Sequence, residues 1–306
     1  MKLPLIVNKT ATMSGHNAAI YALCEGWKEN TVISGSGDKY VVQWDVLNGR
    51  QDKFSALLPS PVIALLYISD FQLLWIGTAN GHIHVIDVKN KKEVHDFNFH
   101  SGYIYDLKYD AAFQRVYSVG ADGCMNIYNV NDLRHIYRLK LSTAKIRSLY
   151  LFEDKILLAE GTGKTIILNT SDGSVAGQFQ SHQLACNCHL VSDNNSILFS
   201  GGRDAHINMW DLKNSFQLIK SVPAHHYAVY HLIDVPGSPL MASASRDKTI
   251  KLWNKRTLTP VVRLNKENYD AHLYSVNALV WQKDSGRLIS AGDDKQILVW
   301  KIEFAS

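Results

Sequence analysis

Histidine, serine and aspartate recur at fixed spacing along the chain, and together these residue types could support nucleophilic catalysis. In five places a His is followed by a Ser 18 residues later, an Asp 22 later and a Trp or Tyr 28 later. Such chemistry needs an oxygen nucleophile, a base and a carboxylate that orients the base. The five sets are His16, Ser34, Asp38, Trp44; His100, Ser118, Asp122, Tyr128; His182, Ser200, Asp204, Trp210; His225, Ser243, Asp247, Trp253; and His272, Ser290, Asp294, Trp300.

The repetition itself argues against catalysis. An active site is needed once per chain, whereas a structural device is needed in every repeat, and an indole has no role in acyl transfer. We therefore predict five structural tetrads and no catalytic residue. Two further copies carry none of the four residue types, which predicts that apolar packing holds those repeats. Their corresponding residues are Leu58, Ile76, Asn80, Ile86 and Leu141, Ala159, Gly163, Asn169.

The strands that position these residues can be predicted from the spacing at which the copies repeat. Tight-turn positions at Asp38, Asn80, Asp122, Gly163, Asp204, Asp247 and Asp294 are separated by 42, 42, 41, 41, 43 and 47 residues. Within each copy, apolar runs of period two are bounded by Gly, Asp and Asn, a pattern typical of strands. The copy over residues 225–264 has four such runs, at 228–235, 239–244, 248–254 and 260–264. Seven such copies predict an all-β fold, a seven-bladed β-propeller of four-stranded antiparallel blades.

The two ends of the chain complement each other. The last copy, over residues 272–302, lacks a fourth strand, while an unassigned strand over residues 3–9 precedes the first copy. If the N-terminal strand completes the last blade, the ring closes and no sheet edge remains exposed. We therefore predict one domain over residues 1–306, closed in this way.

The repeats resemble the WD-repeat family of seven-bladed propellers. The segments 34–45 (SGSGDKYVVQWD), 200–211 (SGGRDAHINMWD) and 243–254 (SASRDKTIKLWN) carry the resemblance most clearly. It implies that each aromatic side chain donates to Ser, Ser to His, and His to Asp. Tyr128 cannot place a hydroxyl where an indole N–H lies, so its tetrad is expected to be altered.

The resemblance also implies a binding face. In the family, this face is lined by the residues three and five positions after each His and by the residue before the turn Asp. In the fourth copy these positions are Ala144, Ile146 and Thr162. Tyr and Arg dominate binding hot spots, so we predict that a protein or peptide segment, acidic or phosphorylated, docks on this face. The predicted partner-binding residues are Tyr21, Tyr103, Tyr105, Arg203, Tyr230, Arg246 and Asp293.

The amino-acid composition narrows the classes of protein to which the chain can belong. The chain is 46% hydrophobic with a net charge of +4, which excludes a disordered protein and argues only weakly for nucleic acid. Its four cysteines are too few for a disulfide scaffold, the apolar stretch at residues 3–7 is shorter than the core of a signal peptide, and no apolar run reaches 18 residues, so we expect neither export nor membrane spanning. We therefore expect an intracellular, cytoplasmic protein that does not bind membranes. His82 and His84 share a strand face, but no third ligand can be placed beside them, so we predict no metal and no cofactor.

Alternatives remain open for the function. The leading hypothesis is a non-catalytic interaction scaffold, a subunit of a larger assembly. The first alternative is small-ligand binding or a hydrolytic enzyme at the mouth of the central channel, and the second is an RNA- or DNA-binding propeller. The interval from Trp253 to His272 is 19 residues, against 13 to 15 elsewhere. This insertion, over residues 265–270, is expected to form a lip over the binding face.

Overall fold

The alternating apolar runs form strands throughout the chain. The computed structural model describes residues 5–192 and 195–304, so residues 3 and 4 of the predicted N-terminal strand lie outside the described residues. The described strands form seven four-stranded antiparallel sheets arranged in a ring. The predicted seven-bladed propeller is therefore confirmed.

Blades are numbered along the chain, and the first strand of blades 1 to 7 is the inner one. Blade 1 comprises β2 (Ile20–Glu25), β3 (Thr31–Ser36), β4 (Tyr40–Asp45) and β5 (Arg50–Leu57), and blade 2 comprises β6 (Val62–Ile68), β7 (Leu73–Thr78), β8 (His82–Asp87) and β9 (Lys92–Asn98). Blade 3 comprises β10 (Ile104–Asp110), β11 (Arg115–Gly120), β12 (Cys124–Asn129) and β13 (Arg134–Lys140), and blade 4 comprises β14 (Ile146–Phe152), β15 (Lys155–Glu160), β16 (Lys164–Asn169) and β17 (Val175–Gln180). Blade 5 comprises β18 (Cys186–Val191), β19 (Ile197–Gly202), β20 (His206–Asp211) and β21 (Gln217–Pro223), and blade 6 comprises β22 (Val229–Asp234), β23 (Leu240–Ser245), β24 (Ile250–Asn254) and β25 (Thr259–Leu264). Blade 7 comprises β26 (Val276–Gln282), β27 (Arg287–Gly292) and β28 (Gln296–Phe304), with β1 (Leu5–Ser14) as its outermost strand.

The core lies between the blades. Apolar clusters fill all seven contacts between neighbouring sheets, each drawing residues from two adjacent blades. Trp75 of blade 2, for example, packs against Tyr128 of blade 3, with ring centroids 5.7 Å apart. Because each blade buries apolar side chains on both faces, no blade has a complete core of its own.

The N-terminal strand closes the ring, as predicted. Strand β1 pairs antiparallel with β28, with Val7 opposite Ile302 and Met13 opposite Ile297. Val7 joins the core between blades 6 and 7, while Met13 joins the core between blades 7 and 1. The strand is longer than the predicted 3–9, because its pairing continues to Ser14.

The insertion before blade 7 forms the short helix α1 (Lys266–Tyr269), and none of its described residues lines the mouth of the central channel. Tyr269 packs into the core between blades 6 and 7, and Asp270 forms ion pairs with Lys266 and with Lys9 of β1. The insertion therefore braces the closing strand, and the lip over the binding face stays a prediction. Within the described ranges, no helix is long and apolar enough to cross a membrane.

Candidate functional site

Four of the repeated sets form complete hydrogen-bond chains. In blade 6, the Trp253 indole donates to Ser243 Oγ (2.8 Å), which bonds His225 Nε2 (2.7 Å), and His225 Nδ1 lies 2.9 Å from Asp247. The Ser oxygen is fully buried in every set, so it cannot act as a nucleophile on a substrate. Equivalent bonds join His16, Ser34, Asp38, Trp44; His182, Ser200, Asp204, Trp210; and His272, Ser290, Asp294, Trp300.

In the blade 6 chain, electrostatics favours a neutral His225 and an ionised Asp247. Burial lowers the pKa of His225, although Asp247 opposes the shift. Burial would raise the pKa of Asp247, but hydrogen bonds from His225, Thr249 and backbone N–H groups hold it well below its usual range. The carboxylate thus remains charged and fixes the turn that follows the second strand.

The blade 3 set differs at its aromatic member. Tyr128 Oη lies 3.4 Å from Ser118 Oγ, a longer contact than the Trp bonds elsewhere. His100 Nε2 keeps its 2.7 Å bond to Ser118 Oγ and also accepts from Asn126 Nδ2 (3.0 Å), and Arg138 pairs with Asp122 at 3.0 Å. Side chains from the neighbouring strands therefore supplement this network.

The strand pairing in blade 4 shows that the fourth repeat was aligned incorrectly with the other repeats. Its hairpin between β14 and β15 is two residues shorter, since Ile146 pairs with Glu160 whereas Ile104 pairs with Gly120 in blade 3. The true counterparts of the tetrad positions are Ser142, Leu158, Thr162 and Leu168, not Leu141, Ala159, Gly163 and Asn169.

Blade 4 is also not held by apolar packing alone. Buried Glu160 accepts hydrogen bonds from Ser142 Oγ (2.5 Å) and from the backbone N–H of Thr162 (2.7 Å). These bonds join the entry loop to the tight turn, as His and Asp do in the other blades. A different set of side chains therefore meets the same structural need.

Removal of one tetrad oxygen should destabilise the whole ring. Ser243→Ala leaves the Trp253 N–H and His225 Nε2 buried without their partner, so we expect the unfolding free energy to fall by about 3 kcal/mol. Chemical denaturation of both proteins measures this change. Ser55→Ala, at an exposed position, is the matched control and should change stability by less than about 0.5 kcal/mol. Equal stability of Ser243→Ala and the wild type would contradict a structural role for the tetrad.

The channel mouth is built from one repeated irregularity. In each inner strand the pairing register shifts by one residue, as at a β-bulge, and the unpaired residue lines the mouth. Bulges re-aim a side chain out of the sheet, so seven of them direct seven side chains to one opening. These residues are Tyr21, Ile63, Tyr105, Arg147, Asn187, Tyr230 and Asn277.

Five of the seven predicted binding residues line this mouth, a cavity of about 430 Å³. Tyr103 and Tyr105 meet edge to face with centroids 6.0 Å apart. Burial and the nearby charge of Asp293 raise the pKa of Tyr21, so its hydroxyl is protonated and available as a donor. The five are Tyr21, Tyr103, Tyr105, Tyr230 and Asp293.

The other two predicted residues, Arg203 and Arg246, line a second cavity of about 610 Å³ beside the mouth. This cavity also contains Lys145 and Arg147, and we call these four cations the basic groove. The two cavities share Arg147 and Tyr230, so the groove opens directly onto the mouth.

The alignment error in blade 4 concealed Lys145 and Arg147. Counting from Ser142 rather than Leu141, the positions three and five residues later are Lys145 and Arg147 instead of Ala144 and Ile146. Ile146 is in fact fully buried, and the residue before the turn is Gly161, not Thr162. The two-residue difference in hairpin length, which the apolar pattern of the strands does not show, accounts for both omissions.

Four cations line the basic groove beside a single carboxylate, that of Asp204 in the blade 5 tetrad, so positive charge exceeds negative charge there. The charge of Arg147, together with burial and Arg203, lowers the pKa of Lys145. In the described part of the chain, none of the four cations forms an ion pair, and the buried Arg147 Nε has no hydrogen-bond partner. Arg147 instead lies over the ring of Tyr105, with 5.3 Å between guanidinium carbon and centroid. An anion placed here would relieve this repulsion.

Comparisons with known proteins agree with the fold. The family model described as WD domain, G-beta repeat matches residues 7–45, 173–211, 216–254 and 264–301. U3 snoRNP-associated protein-like EMB2271 of Arabidopsis thaliana is 22% identical over 288 residues, 87% of this chain and 56% of that protein. WD repeat-containing protein 55 of Homo sapiens is 24% identical over 260 residues, 81% of this chain and 66% of that protein.

A third relative is WD repeat and FYVE domain-containing protein 1 of Mus musculus. It is 24% identical over 263 residues, which are 82% of this chain and 63% of that protein. The matched region therefore spans less than two thirds of each of these three relatives.

Proposed function

The chain belongs to the WD-repeat family of β-propellers, and from this premise we propose that it is a non-catalytic scaffold for a protein or peptide segment. Propellers of this family generally mediate protein interactions. We further propose that the segment docks at the channel mouth and the basic groove, with an acidic or phosphorylated residue in the groove. The basic groove is the observation that carries this proposal.

The chemistry of the groove suits a phosphate or a carboxylate. A phosphorylated side chain brings a charge of about −1.5 to −2 and three acceptor oxygens. Arg203 and Arg246 are exposed, and their guanidinium groups can bind such oxygens in a bidentate manner. Lys145 and Arg147 add charge from the deeper side of the same cavity.

The mouth supplies the apolar and directional contacts. Its tyrosines offer flat contact area with hydroxyl donors, at a low entropic cost. Asp293, held by a 2.7 Å hydrogen bond from Asn277 Nδ2, is the acidic group of the mouth and belongs to blade 7, whereas the groove cations belong to blades 4 to 6. We expect a bound segment to have its negative end at the groove and a neutral or basic end near Asp293.

Peptides that differ only in phosphorylation test this function. We expect phosphoserine or Glu-rich peptides to bind about tenfold or more tightly than their Ser counterparts, because one charge-assisted hydrogen bond contributes about 1.5–3 kcal/mol. Fluorescence anisotropy on paired peptide libraries at two salt concentrations provides the measurement. Equal affinity of the paired peptides would contradict the proposed groove ligand.

Nucleic acid is the competing occupant in the same experiment. The name of the Arabidopsis relative associates that protein with a ribonucleoprotein, and cations beside tyrosines can bind a phosphate backbone. A single-stranded oligonucleotide that binds more tightly than every peptide, with a steep loss on added salt, would replace the protein ligand.

We propose a cytoplasmic location and a place in a larger assembly. The four cysteines are free thiols, and burial raises the pKa of Cys24 and Cys186 to about 12, so neither is reactive. Unpaired thiols agree with a reducing compartment. Fluorescence microscopy of the tagged chain tests the location.

A further inference from the structure

Four metal-binding side chains meet on blade 2, away from the channel mouth. His82 and His84 lie two residues apart on β8 and therefore share one face of the sheet. Strand pairing places Asp96 of β9 directly opposite His84, and Glu93 opposite Ile86. The third ligand that sequence could not supply thus comes from the adjacent outer strand.

Three of the donor atoms, from His82, His84 and Asp96, all lie within 4.8 Å of one another, and Glu93 contacts His84. Asp96 Oδ1 lies 2.9 Å from His82 Nδ1 and 3.9 Å from His84 Nδ1, and Glu93 Oε1 lies 2.7 Å from His84 Nδ1. A tetrahedral ion with bonds of about 2.0–2.1 Å holds its ligand atoms about 3.3 Å apart. Small side-chain rotations would bring the His82, His84 and Asp96 atoms to that separation, and the exposed Glu93 carboxylate, which already contacts His84, would turn toward them as the fourth ligand.

The imidazole nitrogens of the cluster face the two carboxylates, and the carboxylates are open to solvent. His84 is buried, and its Nε2 has no hydrogen-bond partner within residues 5–192 and 195–304, so Nδ1 is the nitrogen that faces the carboxylates. The two imidazole rings stack with centroids 5.9 Å apart. The side chains of Asp96 and Glu93 are 42% and 49% exposed, which leaves a path for an ion to enter.

We propose that His82, His84, Asp96 and Glu93 form a binding site for a divalent transition-metal ion, with Zn²⁺ as the preferred ion. Imidazole and carboxylate are suitable ligands for zinc, and two carboxylates balance the charge of a divalent cation. Within the part of the chain that the structure describes, no other cluster of three His, Cys, Asp or Glu side chains has this geometry. The ion would join β8 to the outer strand β9.

Zinc titration of the untagged protein against a chromogenic chelator tests the site. We expect one Zn²⁺ per wild-type chain and at least tenfold weaker binding by Asp96→Asn and by His82→Asn. The His82 side chain is partly exposed and the Asp96 side chain is exposed, so both variants should keep the fold. His95→Asn, on the same outer strand but the opposite sheet face, is the matched control and should bind zinc as the wild type does.

Cobalt provides a second readout of the same ligands. Co²⁺ bound by two imidazoles and two carboxylates in tetrahedral geometry should give a visible absorption band in the wild type that Asp96→Asn lacks. Zinc binding by Asp96→Asn equal to that of the wild type would overturn the site. The absence of stoichiometric zinc and of the cobalt band from the wild type would also overturn it.

Discussion

Removal of residues 1–10 should lower the melting temperature by about 10 °C or more, because it removes half of the strand that closes the ring. The deletion removes the half of β1 that pairs with residues from Trp300 to Phe304. It also removes Val7 from the core between blades 6 and 7 and the ion pair from Lys9 to Asp270. Lost backbone bonds and apolar burial together amount to roughly 5 kcal/mol or more.

Differential scanning calorimetry of the full and shortened chains measures this effect. A peptide of residues 1–14, added in excess, should restore part of the lost stability by pairing with the open edge of β28. A shortened chain that melts at the temperature of the full chain would show that the ring does not depend on this strand.

The second large effect concerns binding. We expect the triple variant Arg147→Ala, Arg203→Ala, Arg246→Ala to bind a phosphorylated peptide at least about 100-fold more weakly, because two or more charge-assisted hydrogen bonds are lost. The melting temperature should change little, since none of the three side chains forms an ion pair in the described structure. Isothermal titration calorimetry against the best peptide measures both affinity and stoichiometry.

The matched control removes three charges from the opposite face. Arg50 and Arg134 begin the fourth strands β5 and β13, and Arg256 lies in the turn before β25, all at the far end of the blades from the groove. Their triple Ala variant has the same net charge as the groove variant and should bind the peptide as the wild type does. Equal losses in the two variants would mean that overall charge, not the groove, attracts the peptide.

Most of the fold was predictable because it repeats. Each tetrad spans a fixed number of residues between its His and its Asp, so five copies define the blades, the turns and the order of strands. Positions relative to His then located Tyr21, Tyr105 and Tyr230 on the face where the structure places them.

The failures have a common physical origin. In blade 4 the hairpin between β14 and β15 is shorter, and a turn length leaves no mark on the apolar pattern of its strands. The alignment therefore slipped by one residue, and an inward Ile146 was assigned in place of Arg147. The third metal ligand was missed for a similar reason, since Asp96 meets His84 only through the register of β8 with β9.

The central claim is that a partner segment contacts the channel mouth, and site-specific photo-crosslinking tests it most directly. A photoreactive phenylalanine analogue replaces Tyr103 at the mouth or Leu47 on the opposite face, both of which are exposed. After irradiation in cells, mass spectrometry of the crosslinks should identify an acidic or phosphorylated segment attached at position 103 and not at position 47. Crosslinks to partner proteins at position 47 with none at position 103 would contradict the account.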